Sequence, residues 1–93
     1  LTVRQRIREA LSQNPMATLD LSRALRVPEK EIIGHLEHVA RSLRPPDRLV
    51  VFPPACHQCG FVFSHRSRFT TPGRCPRCRH EGISPPVFEI KKG

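Results

Sequence analysis

Cys56-His57-Gln58-Cys59 and Cys75-Pro76-Arg77-Cys78 hold all four cysteines of this 93-residue chain, with residues 60–74 between them. The spacing fits the C-x2-C…C-x2-C pattern of a tetrahedral metal site. Four thiolates converging on one ion can organise a segment that has little core of its own. The first pair runs straight into Gly60, where the backbone can take a positive φ and turn its amides toward the sulfurs. The second pair is followed by Arg79-His80-Glu81-Gly82.

The competing readings are two disulfides or four unrelated buried thiols. A bridge within either CxxC would close a tight redox-active loop, which belongs at a helix start beside a βαβ unit, and neither pair has that setting. Disulfides also suit secreted chains. Here no apolar run is long enough for a signal peptide or a membrane span, and Leu1-Thr2-Val3-Arg4-Gln5-Arg6 is polar and charged. The expectation is a cytoplasmic protein with no membrane partner. The two pairs therefore read as a zinc ribbon with Cys56, Cys59, Cys75 and Cys78 as ligands. Rubredoxin-type iron uses the same ligand set, and the sequence does not separate the two metals.

Working outward, only 38% of the residues are hydrophobic and there is no Trp or Tyr, so the core must be thin. A bound metal would supply the missing stabilisation in the C-terminal half, since zinc binding to small fingers is worth about 10–16 kcal/mol and is coupled to folding. The net charge is +8, from 16 Lys and Arg against 8 Asp and Glu. That sign suits a polyanion, nucleic acid before membrane. The charge is concentrated: residues 56–82 carry Arg66, Arg68, Arg74, Arg77 and Arg79 against Glu81 alone.

Three helical patterns precede the cysteines. Thr2-Val3-Arg4-Gln5 reads as a capping box, after which Val3, Ile7, Ala10 and Leu11 form one apolar stripe ending near Asn14-Pro15. A short second helix starts at Thr18 as its cap, with Leu21, Ala24 and Leu25 on one face. A third opens at Pro28, with Glu29 and Glu31 in the first turn, where the helix dipole favours acids. It buries Ile32, Leu36, Val39 and Leu43, and Pro45-Pro46 stops it. Two apolar runs remain, Leu49-Val50-Val51-Phe52 and Val87-Phe88-Glu89-Ile90-Lys91. Paired antiparallel, they make a hairpin whose connection is residues 53–86. Within that connection Phe61-Val62-Phe63 reads as a strand and Pro72-Gly73 as a turn.

Leu21, Leu25, Val27, Ile32 and Leu36 are spaced as in a helix-turn-helix, with the small Ser22 where the helices approach. The stretch Asp20-Leu21-Ser22-Arg23-Ala24-Leu25-Arg26-Val27-Pro28 through Ile32-Ile33-Gly34-His35-Leu36 resembles winged helix-turn-helix regulators of the broad arsenic-repressor type. With the downstream CxxC pairs, nearly the whole chain resembles a group of small prokaryotic predicted transcriptional regulators that fuse a winged helix-turn-helix to a rubredoxin-like zinc ribbon. The resemblance implies an α+β fold: a three-helix winged helix-turn-helix from residues 1–52 and 87–93, with a zinc ribbon of residues 53–86 inserted in the β-hairpin wing.

It also implies that helix 28–44 lies in a major groove of double-stranded DNA. The candidate contacts are Arg23, Arg26, Lys30 and His35 around the helix-turn-helix, and Arg66, Arg68, Arg74, Arg77 and Arg79 on the ribbon. Arg26 departs from the pattern, standing where such turns often have Gly. The charges of helix 28–44 cancel, so affinity for DNA is expected to depend on Arg23 and Arg26 before the helix and on the ribbon arginines. Against DNA binding stand two other readings: a protein-interaction module of a transcription assembly, and a metal or redox sensor whose thiolates oxidise and release the ion. His35 and His38 share a helix face, but no carboxylate completes a ligand set. His57, His65 and His80 read as groups outside a site already filled by four sulfurs. An enzyme is not expected, because no nucleophile arrangement or phosphate-cradling glycine loop is present and a four-cysteine site has no open position. The oligomeric state is not encoded in any leftover dimerisation helix.

Overall fold

The three apolar stripes become three helices in the computed structural model, which describes residues 2–64 and 69–92. Helix α1 (Val3–Gln13) starts with the expected capping box. The Gln5 amide donates to Thr2 Oγ1 at 3.2 Å and the Thr2 amide donates to Gln5 Oε1 at 2.9 Å, so two otherwise orphaned donors are satisfied. Ile7 and Leu11 are buried.

A two-residue strand, β1 (Met16–Ala17), leads directly into α2 (Thr18–Leu25). Thr18 is not the cap of this helix. Ala17 occupies that position, and its amide donates to the Asp20 carboxylate at 3.1 Å. Thr18 is thereby free to turn inward, where it is buried and its hydroxyl donates to Glu29 Oε2 at 2.7 Å. Ala24 is exposed rather than part of the inner face, which narrows to Leu21 with Leu25 half-buried.

Arg26 ends α2 in the left-handed region, at φ 57 and ψ 44. The turn is closed from both sides: the Val27 amide donates to the Ser22 carbonyl at 3.2 Å, and the Ser22 hydroxyl donates to the Val27 carbonyl at 2.6 Å. A larger side chain at position 22 would lose that second bond. Helix α3 (Glu29–Ser42) follows, with Ile32, Leu36 and Val39 inside. It is shorter than expected at both ends. Pro28 stays outside as an extended cap, and Leu43 is already extended at ψ 139. Pro45 keeps Arg44 out of the helical region, so the helix could have run at most one residue further, to Leu43.

Strands β2 (Arg48–Phe52) and β3 (Val87–Lys91) pair antiparallel over the expected residues, from Arg48 opposite Lys91 to Phe52 opposite Val87. β1 adds to the other edge of β3, giving the order β1-β3-β2. This third strand was not expected, because two residues carry no alternation to read. β3 is consequently central. Its Phe88 and Ile90 point into a core completed by Ile7 and Leu11 of α1, Leu21 of α2, and Ile32, Leu36 and Val39 of α3.

The chain leaves this hairpin at Phe52 and returns at Val87. Between those points Phe61-Val62-Phe63 makes only a single bridge, Val62 with Ala55, and not a strand. The facing segment begins with Pro53-Pro54, which have no amide hydrogens with which to extend a ladder. The chain bends at 73–74 rather than at Pro72-Gly73, and Pro72 is buried. A contact that sequence alone did not suggest ties the insertion to the helices. Phe69 is half-buried against the main core, its ring edge-on to Phe88 with centroids 5.0 Å apart. Among the described residues no helix is long and apolar enough to cross a membrane.

Candidate metal centre

The two CxxC loops are built alike. In the first, the Gly60 amide donates to the Cys56 carbonyl at 3.1 Å and the Cys56 amide to the Phe61 carbonyl at 2.8 Å. In the second, the Arg79 amide donates to the Cys75 carbonyl and the Cys75 amide to the His80 carbonyl, both at 2.9 Å. Each loop closes through a residue with positive φ, Gly60 at 78 and Arg79 at 64. Gly60 was expected in that role, but Gly82 was not the counterpart. Gly82 instead leaves room for the imidazole of His80, whose Nε2 lies 2.6 Å from where a Cβ at position 82 would stand.

The loops are joined by the chain around them. Cys56 pairs with Ile83 across an isolated bridge, and the His57 amide donates to the Gly82 carbonyl at 2.9 Å. Ser84 fastens the base: its amide donates to the Ala55 carbonyl, and its hydroxyl accepts from the Ala55 amide, each at 2.9 Å. A small apolar cluster of Cys56, Cys75 and Ile83, with Phe61 and Phe63 packed on it edge to face at 5.0 Å, covers one side of the sulfurs. Cys59 is exposed on the other.

All four Sγ atoms lie within 4.8 Å of one another. Cys56 and Cys78 are 3.5 Å apart and Cys59 and Cys75 3.6 Å. A tetrahedron with zinc–sulfur bonds of about 2.3 Å has edges of about 3.8 Å, whereas a disulfide needs about 2.05 Å. The spacing therefore fits a four-thiolate ion and excludes bridges, and the cysteines are free thiols.

In the metal-free cluster the thiols differ in how readily they give up a proton. The Cys59 amide, against burial and with help from the Gln58 amide and the thiols of Cys78 and Cys59, brings Cys56 down to about 6. At Cys75 burial pushes upward, but the amides of Cys78 and Arg77 and the Cys59 and Cys78 thiols outweigh it and leave the group below 9.0. At Cys78 the His80 amide works downward, yet burial and the neighbouring sulfurs of Cys56, Cys59 and Cys75 raise it to about 12. Close thiolates repel a further negative charge, so the metal-free cluster keeps a proton at Cys78. A divalent zinc ion at the centre would cancel that repulsion and hold all four as thiolates. None of the described histidines joins the donor group.

The residues expected to meet DNA fall into two sets. Arg23, Arg26 and Lys30 are exposed around the α2–α3 turn, while His35 is half-buried and accepts from Arg4 Nε at 3.2 Å. Arg74, Arg77 and Arg79 are exposed around the second loop, where the Arg77 amide also donates to Cys75 Sγ at 3.4 Å. Arg66 and Arg68, like His65, lie outside the described residues. Arg4 was not expected beside α3; its partner is far away in sequence, and no local pattern announces the pair.

Comparison with known proteins fits this layout. Residues 53–93 match the PF0610 rubredoxin-like zinc beta-ribbon domain, and residues 2–51 match the family described as PF0610-like, N-terminal. The boundary between the two falls at Phe52, the last residue of β2, although β3, on the ribbon side, completes the helical core. No curated protein matches the chain. Among solved structures it is similar to the solution NMR structure of protein PF0610 from Pyrococcus furiosus, with a TM-score of 0.79 and 29% identity over 98% of this chain and 90% of that one. The chain thus belongs to the PF0610-like family and carries that family's four-cysteine zinc ribbon on an N-terminal unit of three helices and a small sheet.

Proposed function

We propose that this protein is a transcriptional regulator that binds double-stranded DNA through a winged helix-turn-helix. In this reading α2, the turn at Arg26-Val27-Pro28 and α3 form the helix-turn-helix. The β2–β3 hairpin is the wing, and the zinc ribbon extends it. The observation that supports the proposal is the way α3 is held: its inner face packs into the core formed with α1, α2 and β3, while Lys30, Gly34, Glu37, His38 and Arg41 on its outer face are exposed. A helix presented in this way is the reading element of such folds. Arg23, Arg26 and Lys30 lie beside it, and Arg74, Arg77 and Arg79 give the ribbon a basic surface suited to phosphates. The four thiolates are assigned to structure and none to catalysis, since a filled tetrahedron has no position for water or substrate.

The test is fluorescence anisotropy of the zinc-loaded protein on random and promoter duplexes, titrated across salt. Binding with a steep negative salt slope supports the reading, and Arg→Ala variants of Arg74, Arg77 and Arg79 should each flatten that slope. Folded, zinc-loaded protein that ignores duplex DNA at low salt refutes it. A second reading, a docking module within a transcription assembly, draws on the exposed Val51 and Phe52 of the wing and Val62 of the ribbon. Recovery of a defined transcription protein, with no DNA binding, would decide for that alternative.

A further inference from the structure

Gly34 sits in the middle of α3, where glycine is a poor choice. It costs conformational entropy in a helix interior, and alanine is ordinarily preferred. Helical glycines are usually explained by a neighbour that needs the space, but a Cβ at position 34 would meet nothing within 4 Å. The backbone there does not call for glycine either, since the positive-φ residues are Arg26, Gly60 and Arg79. Among the described residues nothing accounts for the missing side chain.

The position of Gly34 says what could. At about 100° per residue, the line opposite buried Ile32, Leu36 and Val39 runs through Lys30, Gly34 and Arg41, with Glu37 and His38 beside it. All five are exposed. The helix contains Glu29, Glu31 and Glu37 against Lys30 and Arg41, so its total charge is negative, but this outer line is not. Glu29 lies well away from that line by its place on the helix and accepts from the Thr18 hydroxyl of α2, and Glu31 falls to the flank. Arg4, bonded to His35, adds a cation from α1 at the border.

We infer that Gly34 is the point of closest approach between α3 and the floor of a DNA major groove, with Lys30 and Arg41 gripping the two rims. This rests on the DNA-binding reading and says which surface performs it. A helix with side chains is about 10–12 Å across, and the groove is about 12 Å wide. The fit is tight enough that a single missing side chain sets how deeply the helix enters. Lys30 and Arg41 are separated by about 16 Å along the axis, one on each side of Gly34, which suits phosphates on opposite strands. Double-stranded RNA is not the occupant, because its major groove is too narrow for a helix.

The experiment uses the full zinc-loaded chain with Gly34→Ala and Gly34→Gln, each read by thermal melting and by anisotropy on the duplex that binds the unchanged protein best. Stability and affinity should move in opposite directions. The melting temperature of Gly34→Ala should rise by about 4–8 °C. Its Kd should rise about fivefold or more, and that of Gly34→Gln further, with the salt slope unchanged because no charge is altered. A fall in melting temperature would make Gly34 a structural residue and overturn the inference. Higher melting with unchanged Kd would overturn it while leaving DNA binding intact. Absence of DNA binding by the unchanged protein would remove both.

Discussion

Replacing Phe69 by alanine should weaken the helical unit although Phe69 belongs, by sequence, to the zinc ribbon. The ring packs against the core that holds Ile7, Leu11, Leu36 and Phe88, and stands edge-on to Phe88 at 5.0 Å with planes at 65°. Removing a fully buried phenylalanine costs about 3–5 kcal/mol. Phe69 is half-buried, so about half of that is expected, near 2 kcal/mol, of which the aromatic pair itself supplies about 0.5–1.5. For a domain of this size each kcal/mol moves the midpoint by about 4–8 °C, which puts the expected drop near 10 °C.

The assay is the far-UV circular dichroism melt of zinc-loaded protein, which reports α1, α2 and α3. A second readout separates core from metal site: the absorption of the cobalt-substituted protein, which reports the sulfur tetrahedron. Phe69 is not among the side chains packed on the cysteines, whereas Phe61 and Phe63 are. Phe69→Ala should therefore lower the helix melt and leave the cobalt spectrum alone, and Phe61→Ala should disturb the spectrum first. A double-mutant cycle with Phe88→Leu should return a coupling of about 0.5–1.5 kcal/mol. An unshifted helix melt, or a coupling near zero, would refute the reasoning and leave the insertion tied to the helices only through its two strand ends.

Two further outcomes follow from single groups. Zinc retention should weaken as the pH falls through about 6: Cys56 is depressed to that value, so it offers a thiolate above it and must lose a proton to the competing ion below it. Competition with a chromophoric chelator should show an extra tenfold loss of apparent affinity per pH unit below 6, and a flat profile from pH 7 to 5 would contradict the assignment. Arg26→Gly should stabilise the free protein by about 1 kcal/mol, because Arg26 holds a left-handed turn that glycine adopts at little cost; an unchanged urea midpoint would mean its side chain repays the strain.

Most of the frame was readable from residues close together in the chain. The capping box at Thr2 and Gln5, the stripes of α1 and α3 and the cysteine spacing are all local patterns. The β2–β3 hairpin was legible despite the long insertion, because each run is bounded by breakers and β3 alternates cleanly. What escaped depends on segments meeting in space. β1 exists only because β3 offers it an edge, and nothing local to Phe69 announces that it packs on Phe88. Arg79 takes the role of Gly60 because the second loop repeats the hydrogen bonds of the first, a symmetry of geometry that the residue types do not repeat.

The charge of α3 is a further case in which position carries more than a local count. A helix with three acids against two bases looks unfit for a polyanion if its charges are simply added. Charge acts from a position, however, and over distances comparable to a helix diameter in salt of physiological strength. Thr18 is buried because Asp20, not Thr18, satisfies the cap of α2, and a buried Thr18 hydroxyl is what draws Glu29 toward α2. A capping choice in one helix thus gives the first acid of the next a partner. The outer line of α3 carries Lys30, a bare Gly34 and Arg41 with Glu37 beside it, an arrangement that a sum over the helix does not show.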